Sequence, residues 1–309
     1  MLIVTPCFYD RFSCIASRCA HSCCVGWEID VDAKTRSFYS SVPGKLGEEL
    51  ASVISRGPEP HFILQEGERC PFLRKDGLCR IILDLGKDAL CDICREHPRF
   101  YNRFPGREER GLGLCCEEAL RLLLSEKDFS LTEKNDGKEE GRDLWREELA
   151  ALRANIFDIM KERNCSFMSR LEKAFALLGE TSPAFESKQW AAFFLTLERM
   201  DDSWTGMLQK LTCDRGGKLD GQLKDTRYEK LFCYLIYRHF ISADDLEQAR
   251  DLLFFCAIGT LLVAALDRAE PTLCDEHIRL FSAEIEYSDE NVGKICTMRR
   301  QSFDFNSGI

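Results

Sequence analysis

Cysteines are concentrated in the first third of this chain, at the short spacings that metal sites use. Eleven of the 17 cysteines in the 309 residues precede residue 117. Pairs such as Cys19-x3-Cys23 and Cys91-x2-Cys94 are typical of zinc or iron–sulfur ligation, whereas cysteines placed for core packing would be spread along the chain. The sequence therefore predicts a metal centre in this region.

A disulfide framework is the competing interpretation of the same cysteines. Residues 1–10 contain no basic region, no long apolar run and no cleavage signal of the kind that secretory leaders have. The chain is long enough to build a core without disulfides, and an odd number of cysteines leaves one unpaired. We therefore expect reduced thiols and a cytoplasmic protein.

The adjacent pair Cys23 and Cys24 bears on the number of metal centres. Successive side chains of an extended backbone point to opposite faces, so both rarely reach one ion. The pair fits two neighbouring centres, or one cluster with a further thiol beside it. Zinc and a [4Fe–4S] cluster each take four ligands, so the spacings leave both the metal and the number of centres open. The C-x3-C-x2-C motif of radical S-adenosylmethionine enzymes is absent, because Gly26 stands where its third cysteine would be.

Several polar side chains near the cysteines are candidates for proton transfer or charge balance. The candidate bases are Tyr9, Glu28, Asp30, Asp32 and Tyr101, for which a capping, solvated or core role is the simpler expectation. A basic run follows the last cysteine pair: Arg95, Arg99, Arg103, Arg107 and Arg110. It either balances the charge of a thiolate-ligated cluster or pairs with Glu108 and Glu109. Since thiolates are in excess, we expect neither His61 nor His97 to be a ligand.

Composition and periodicity predict a mainly α protein. Apolar residues recur at helical intervals from residue 143 onward, whereas Gly, Pro and Cys interrupt the earlier sequence. We predict a metal-bound cysteine-rich module of loops and short helices at 1–124, a charged linker at 125–145 and a helical domain at 146–309, with the module packed on the helical body. Residues 27–32 alternate as an edge strand would. Ser242 to Asp245 provides an N-cap for a helix that follows, and Phe232, Tyr234, Ile236 and Tyr237 are expected in a helix core.

Charge and hydropathy exclude some classes of partner. The net charge of −10 argues against a general nucleic-acid binder, which would carry a basic excess. The longest apolar run, residues 252–266, is too short for a membrane span and is typical of a buried helix. We expect neither nucleic acid nor a membrane as a partner.

Six stretches of the sequence carry a family resemblance. They are Phe12-Ser-Cys14-x4-Cys19-x3-Cys23-Cys24-Val-Gly26-Trp27-Glu-Ile29-Asp-Val-Asp32; Cys70-Pro-Phe72-Leu73 with Asp76-Gly77-Leu78-Cys79-Arg-Ile81; Leu90-Cys91-Asp-Ile-Cys94-Arg95-Glu-His-Pro98-Arg99; Leu114-Cys115-Cys116-Glu-Glu118-Ala119; Glu229-Lys-Leu-Phe-Cys-Tyr-Leu-Ile-Tyr237-Arg238-His-Phe240; and Glu284-Ile-Glu286-Tyr287-Ser288. With these segments the chain resembles the flagellin lysine-N-methylase family, within the wider group of cysteine-cluster (YkgJ-type) proteins. It departs from the family pattern at Cys115, where serine is usual, and at His97, where an aromatic residue is commoner.

The resemblance implies an enzyme that transfers methyl groups from S-adenosylmethionine to lysines of flagellin and holds a [4Fe–4S] cluster, with zinc as the alternative metal. The ligand pool that it implies is Cys14, Cys19, Cys23, Cys24, Cys70, Cys79, Cys91, Cys94 and Cys116. A non-catalytic zinc or iron–sulfur module for redox sensing or partner docking is the alternative function. The residues themselves mark neither a catalytic base nor a cofactor pocket.

Overall fold

The computed structural model describes residues 1–137, 141–214 and 216–306, with side chains described through residue 300. The chain is mainly helical, as predicted, and divides into two compact units. We call one the cysteine unit, made of Phe12–Phe100 and Cys116–Glu118. We call the other the helical unit, made of Met1–Arg11, Tyr101–Cys115 and Ala119–Ile309.

These boundaries differ from those expected from composition. The structure contains a four-stranded sheet with the strand order β2-β3-β1-β4. Its strands are β1 Leu2–Pro6, β2 Arg99–Phe104, β3 Arg107–Leu112 and β4 Leu131–Asn135. The first three lie in the region predicted to be the cysteine-rich module, and β4 lies in the predicted linker. Strand β1 is parallel to β3 and antiparallel to β4. Strand β4 lies at an edge and is largely exposed, which is why its sequence resembles a charged linker. Residues 138–140 of the expected linker lie outside the described residues.

The cysteine unit is built from short helices joined by loops. Its helices are α1 Ala33–Ser41, α2 Gly44–Ser52, α3 Arg80–Leu85 and α4 Asp92–Glu96, and α5 Glu117–Ser125 begins in this unit. Helix α1 starts at Asp32, whose carboxylate accepts a hydrogen bond from the Thr35 backbone N–H at 2.9 Å. The prediction of an edge strand at 27–32 is wrong, because the segment makes only isolated bridges, such as Asp30 opposite His61. The loops on either side give it no continuous partner strand.

The helical unit contains the longer helices. These are α6 Leu144–Met160, α7 Phe167–Ala176, α8 Ser187–Phe194, α9 Asp202–Cys213, α10 Thr226–His239, α11 Leu246–Ala269, α12 Cys274–Phe281 and α13 Asp289–Asn306. A π-helical turn, Ser282–Glu286, follows α12. Asp245 caps α11 by accepting from the Gln248 N–H at 2.8 Å, which confirms the predicted N-cap. The four residues of α10 expected in a helix core are fully buried: Phe232, Tyr234, Ile236 and Tyr237.

Helix α11 forms the centre of the helical unit. Its residues 253–266 are almost wholly inaccessible, and α8, α9, α10, α12 and α13 pack around it. Gly259 permits a close approach, since a Cβ there would lie 2.4 Å from the ring of Phe281. The helix is long and apolar enough to cross a membrane, yet 94% of its most apolar window is buried inside the fold, as in the core helix of a globular protein.

Candidate metal centre

Five thiols lie around the apolar core of the cysteine unit, and we call them the core thiol group. They are Cys24, Cys70, Cys79, Cys91 and Cys94. Cys70 and Cys91 are buried members of that core, and the other three are half-buried and pack against it. Phe62 and Phe72, with ring centroids 5.3 Å apart, belong to the same core. These thiols are therefore part of what holds the unit together.

Local structure brings the members of the core thiol group together. Cys91 is the N-cap of α4 and Cys94 lies within its first turn, so the two sulfurs share one side and are 4.0 Å apart. The Cys70 N–H donates to the Cys24 carbonyl at 2.8 Å. A tight loop with Gly77 at φ +76° returns the chain so that Cys79 pairs with Leu73 next to Cys70.

Electrostatic interactions among these thiols follow from their proximity. Burial raises the pKa of Cys70 to about 12, and the neighbouring Cys24, Cys79 and Cys91 add to the increase. Burial also raises the pKa of Cys79. The hydrogen bond between Cys94 and Cys91 raises the pKa of Cys94 and lowers that of Cys91. Buried thiols with a raised pKa, such as Cys70 and Cys79, stay protonated unless a bound metal ion displaces the proton.

Four more thiols lie outside that core, and we call them the outer thiol group: Cys14, Cys19, Cys23 and Cys116. Cys14 and Cys23 are exposed, and the other two are half-buried. The Cys19 sulfur lies 3.0 Å from the His21 carbonyl oxygen and 3.5 Å from Glu117 Oε2. Glu117 also accepts from the Ala20 N–H at 2.8 Å, which holds the loop of residues 14–24 beside Cys116.

The Cys23–Cys24 pair connects the two groups. Both residues lie in a turn rather than in the extended backbone assumed from the sequence. Their side chains form a hydrogen bond, which raises the pKa of Cys23 and lowers that of Cys24 to about 7. Cys14 and Cys116 raise the pKa of Cys23 further. All nine predicted ligand residues therefore belong to the cysteine unit, in groups of five and four.

The cysteines are free thiols, and no disulfide joins them within the described residues. No group of three or more Cys, His, Asp or Glu side chains in the described part of the chain closes around a single point as ligands of one ion do. The donor set itself fits a metal, because it consists of thiols, which select zinc and iron–sulfur clusters over hard cations. Cys115, outside the predicted ligands, lies in the helical unit in hydrogen-bonding contact with Tyr287.

The two histidines considered as ligands from the sequence, His61 and His97, have other contacts. His61 Nε2 lies 3.4 Å from Glu28, and its Nδ1 lies 3.2 Å from the Ser55 hydroxyl. His97 packs against the ring of Trp27, and burial lowers its pKa to about 4. Trp27 itself packs against the apolar core of the cysteine unit.

The candidate bases have mostly structural roles. Asp32 caps α1 and also accepts from the Asp92 N–H at 2.9 Å; although burial opposes it, these hydrogen bonds lower its pKa. Tyr9 and Tyr101 belong to the helical unit. Three arginines of the basic run pair with Glu108 and Glu109, as the alternative interpretation predicted, and a fourth pairs with Asp92. Arg103 and Arg110 both bond Glu108, at 2.8 and 2.5 Å, Arg107 bonds Glu109 at 2.6 Å, and Arg95 bonds Asp92.

A cavity of about 920 Å³ opens on the cysteine unit next to the core thiol group. Its lining includes Asp30, Asp32, Arg36, Glu59, Asp92 and Ile93. Asp92 and Ile93 lie between Cys91 and Cys94 in the sequence. Four carboxylates and one guanidinium among these residues give the cavity an acidic character.

Comparison with known proteins identifies relatives of this chain. A protein named flagellar biosynthetic protein FliU, from Salmonella muenchen, is 30% identical over 146 residues, which cover 43% of this chain and 83% of that protein. Lysine-N-methylases of Salmonella typhimurium and Salmonella choleraesuis are 31% and 30% identical over 144 residues, 43% of this chain. This chain belongs to the flagellin lysine-N-methylase family. The alignment spans only 35% of each of the two lysine-N-methylases. No protein-family model and no solved structure matches the chain.

Two C-terminal segments that carried the family resemblance meet inside the helical unit. His239 Nε2 lies 3.0 Å from Glu286 Oε1, and Arg238 Nε lies 3.6 Å from the same oxygen. The guanidinium of Arg238 also stacks 4.4 Å from the Tyr287 ring centroid. Burial lowers the pKa of His239 despite its hydrogen bond to Glu286. These residues therefore join α10 to the π-helical turn.

Sequence reasoning missed two residues that contact the thiols. The Tyr39 hydroxyl donates to the Ala89 carbonyl at 2.7 Å and also interacts with Cys91. Glu117 bonds the Cys19 loop. Glu117 directly follows the Cys115-Cys116 pair, so its position could have marked it. No signal in the sequence marks Tyr39, because only the packing of α1 brings it to Cys91.

Proposed function

We propose that this chain, as a cytoplasmic enzyme, transfers methyl groups from S-adenosylmethionine to lysine side chains of flagellin, with a [4Fe–4S] cluster held by cysteines of the cysteine unit. The observation that carries the proposal is the alignment with proteins named lysine-N-methylase and with FliU. The chain aligns with only 35% of each of the two lysine-N-methylases, so methylation by this chain is a proposal.

The reaction makes defined demands on the protein. The neutral lysine nitrogen forms a bond to the methyl carbon, the carbon–sulfur bond of the sulfonium breaks, and sulfur keeps the electron pair. The lysine ammonium must lose a proton first, so a base and a place that aligns the two reactants are needed. No radical step is required.

The cavity beside the core thiol group has the character that a lysine substrate needs. Its carboxylates attract an ammonium, and Asp30 and Glu59 are exposed at its lining. Asp32 is held by the cap of α1 and Asp92 by Arg95, so Asp30 and Glu59 are the carboxylates we assign to receiving the lysine and its proton. Arg36, on the same lining, is the residue suited to a carboxylate of the cofactor.

The thiol groups fit the metal part of the proposal. Cysteine thiolates are the usual ligands of [4Fe–4S] clusters, and the nine cysteines exceed the four that one cluster takes. Such a cluster, when bound, supplies either structural cross-linking or an iron position that binds the amino and carboxylate groups of a ligand. Phe62, Phe72 and Tyr39 around the core thiol group would exclude water from that site.

A methylation assay tests the proposal. Protein purified without oxygen is incubated with S-adenosylmethionine and unmethylated flagellin, and intact-mass measurement should show increments of one methylene unit on flagellin. The double variant Asp30→Asn/Glu59→Gln should slow methylation by about 10²-fold or more at unchanged metal content. The matched control Glu48→Gln/Glu66→Gln, which removes two exposed carboxylates away from the cavity lining, should retain full activity.

Two outcomes would reject the proposal or its site. If metal-loaded protein leaves flagellin unmethylated, the chain is not a methylase for that substrate. Binding of flagellin without mass increments would then favour the partner-docking alternative. If both double variants behave alike, the cavity is not where lysine reacts.

A further inference from the structure

We infer that His61 is a positioning residue for the cavity of the cysteine unit, and that it holds the loop of Glu59 in place next to Asp30 so that the two carboxylates receive one ammonium group together. The inference rests on the proposed function, which assigns these two carboxylates to the lysine. His61 is not among the residues that line the cavity, so it acts there through its neighbours.

The first observation is the backbone pairing that brings His61 to the cavity. His61 forms an antiparallel bridge with Asp30, and the Val31 N–H donates to the Pro60 carbonyl at 2.7 Å. Side chains of directly opposite residues in such a bridge lie on the same face and close together. The imidazole and the Asp30 carboxylate therefore share one face, at the point where Asp30 enters the cavity lining.

The second observation is that the imidazole ties together the exposed loop of residues 56–60. Nδ1 of His61 lies 3.2 Å from the Glu59 carbonyl oxygen and 3.2 Å from the Ser55 hydroxyl. Because a carbonyl oxygen only accepts hydrogen bonds, we assign a proton to Nδ1, which donates it to Glu59. The ends of the loop are also joined, since the Ser55 N–H donates to the His61 carbonyl at 2.8 Å and the His61 N–H donates to the Ser55 hydroxyl at 3.0 Å.

The third observation is that the opposite edge of the ring is also held. Nε2 of His61 lies 3.4 Å from Glu28 Oε2. Burial alternates along this segment, with Ile29 and Val31 buried and Glu28 and Asp30 exposed, so the two carboxylates lie on the face that the imidazole occupies. Contacts at both ring nitrogens fix the orientation of the imidazole.

These contacts bear on how the cavity binds an ammonium group. Two carboxylates that are already in place lose less conformational freedom on binding than two that must be ordered. Without the imidazole, the backbone contact of Pro60 with Val31 is the nearest hydrogen bond that remains to hold Glu59. Loss of His61 should therefore weaken the reaction of the lysine substrate and leave the binding of S-adenosylmethionine unchanged.

Variants of His61 test the inference in the methylation assay. His61→Leu should lower kcat/KM for flagellin by about tenfold, at an unchanged KM for S-adenosylmethionine. His61→Asn places an amide N–H near the position of Nδ1 and should recover most of that loss. In a Glu59→Gln background, His61→Leu should have little further effect, because it acts through Glu59. The matched control Gln65→Leu, at an exposed position of the same segment, should retain full activity.

A binding measurement on the same proteins does not depend on methylation. The carboxyl carbons of aspartate and glutamate are isotopically labelled, and the protein is titrated with n-butylammonium chloride at constant pH and ionic strength by nuclear magnetic resonance. In the unaltered chain, the signals of Asp30 and Glu59 should shift together with one dissociation constant. In His61→Leu the Glu59 signal should lose most of its response, and His61→Asn should restore it.

Folding of each variant is checked by far-ultraviolet circular dichroism. If leucine disturbs the fold, His61→Gln replaces it, because the longer side chain carries its amide past the Glu59 carbonyl and should show the same loss. Full activity of His61→Leu, a loss that adds to that of Glu59→Gln, or equal losses in the asparagine and leucine variants would overturn the inference. So would the absence of n-butylammonium binding at the two carboxylates. Joint binding at Asp30 and Glu59 that depends on His61, in a protein that does not methylate flagellin, would reject the proposed function and leave this inference standing.

Discussion

The two units of this chain are stabilised in different ways. The helical unit encloses α11, whose central residues are inaccessible and apolar over several turns. The cysteine unit has α-helices of five to nine residues, and sulfur atoms take up part of its core. Helices this short are marginal without tertiary support, so under the proposed function we expect the cysteine unit to depend on the metal that its thiols bind. We therefore expect apolar burial to stabilise the helical unit and metal ligation to stabilise the cysteine unit.

Buried charges differ between the units in the same way. In the helical unit, Arg153 and Glu109 form a two-pronged ion pair at 2.6 and 2.7 Å, with exposures of only 1% and 0%. In the cysteine unit, pairs such as Arg74 with Asp76 lie at the surface. The two-pronged pair of Arg80 with Glu49, at 2.7 and 2.6 Å, is only partly buried. Exposed pairs contribute little to stability, so we expect ion pairs to stabilise the cysteine unit less than the helical unit.

Metal removal should have the largest effect on stability, and it should destabilise the cysteine unit alone. Stripping the metal from purified protein removes a binding free energy that in structural zinc sites is roughly 10–16 kcal/mol. Hydrogen–deuterium exchange should show lost protection across Phe12–Phe100 and unchanged protection in α10 and α11. If both units lose protection together, or if the cysteine unit stays protected without metal, the two units are not stabilised in different ways.

Breaking the buried ion pair should act on the helical unit alone. Arg153→Met leaves the Glu109 carboxylate buried with Arg107 as its remaining partner, at a cost of about 3 kcal/mol. Denaturant unfolding followed by far-ultraviolet circular dichroism measures that loss, and metal content should not change. Lys134→Met removes an exposed pair with Asp10 in the same unit and should cost about 0.5 kcal/mol or less. Equal effects of the two variants would show that burial of the pair contributes nothing.

The parts of the fold that were predictable from sequence are those set by local periodicity. The apolar stripe of α11 and its cap at Asp245 depend on nearby residues, so the sequence contains the whole signal. The sheet could not be anticipated, because β1 and β3 lie about a hundred residues apart and each is short. Charged β4 matched a linker in composition, and only its pairing with β1 makes it a strand.

The candidate site was predictable in residue type and not in arrangement. The family resemblance implied a pool of nine thiols, and the structure places all nine in the cysteine unit. Their division into the core and outer groups depends on long-range contacts, such as Cys70 with Cys24 and Glu117 with Cys19, that no local pattern encodes. The Cys23–Cys24 pair shows the limit most clearly, because a turn replaces the extended backbone on which the sequence argument relied.

Acid should weaken the cysteine unit through His97, by less than metal removal or the loss of the buried ion pair weakens its own unit. Burial lowers the pKa of His97 to about 4, whereas a histidine in an unfolded chain titrates near about 6.5. Between these values the unfolded state binds a proton that the folded state excludes, so stability is lost as pH falls from about 6.5 towards about 4.

The variant His97→Phe removes the titrating group and keeps a ring against Trp27. Stability of the cysteine unit is measured by hydrogen–deuterium exchange for both proteins at equal zinc content. The measured quantity is the free energy of unfolding of the variant minus that of the wild type. This difference should be larger near pH 5 than above about pH 7, by roughly 1–2 kcal/mol. Since both proteins share the pH dependence of metal binding, subtracting one curve from the other isolates the imidazole. Parallel curves would mean that His97 takes up its proton as readily in the folded chain as in the unfolded one.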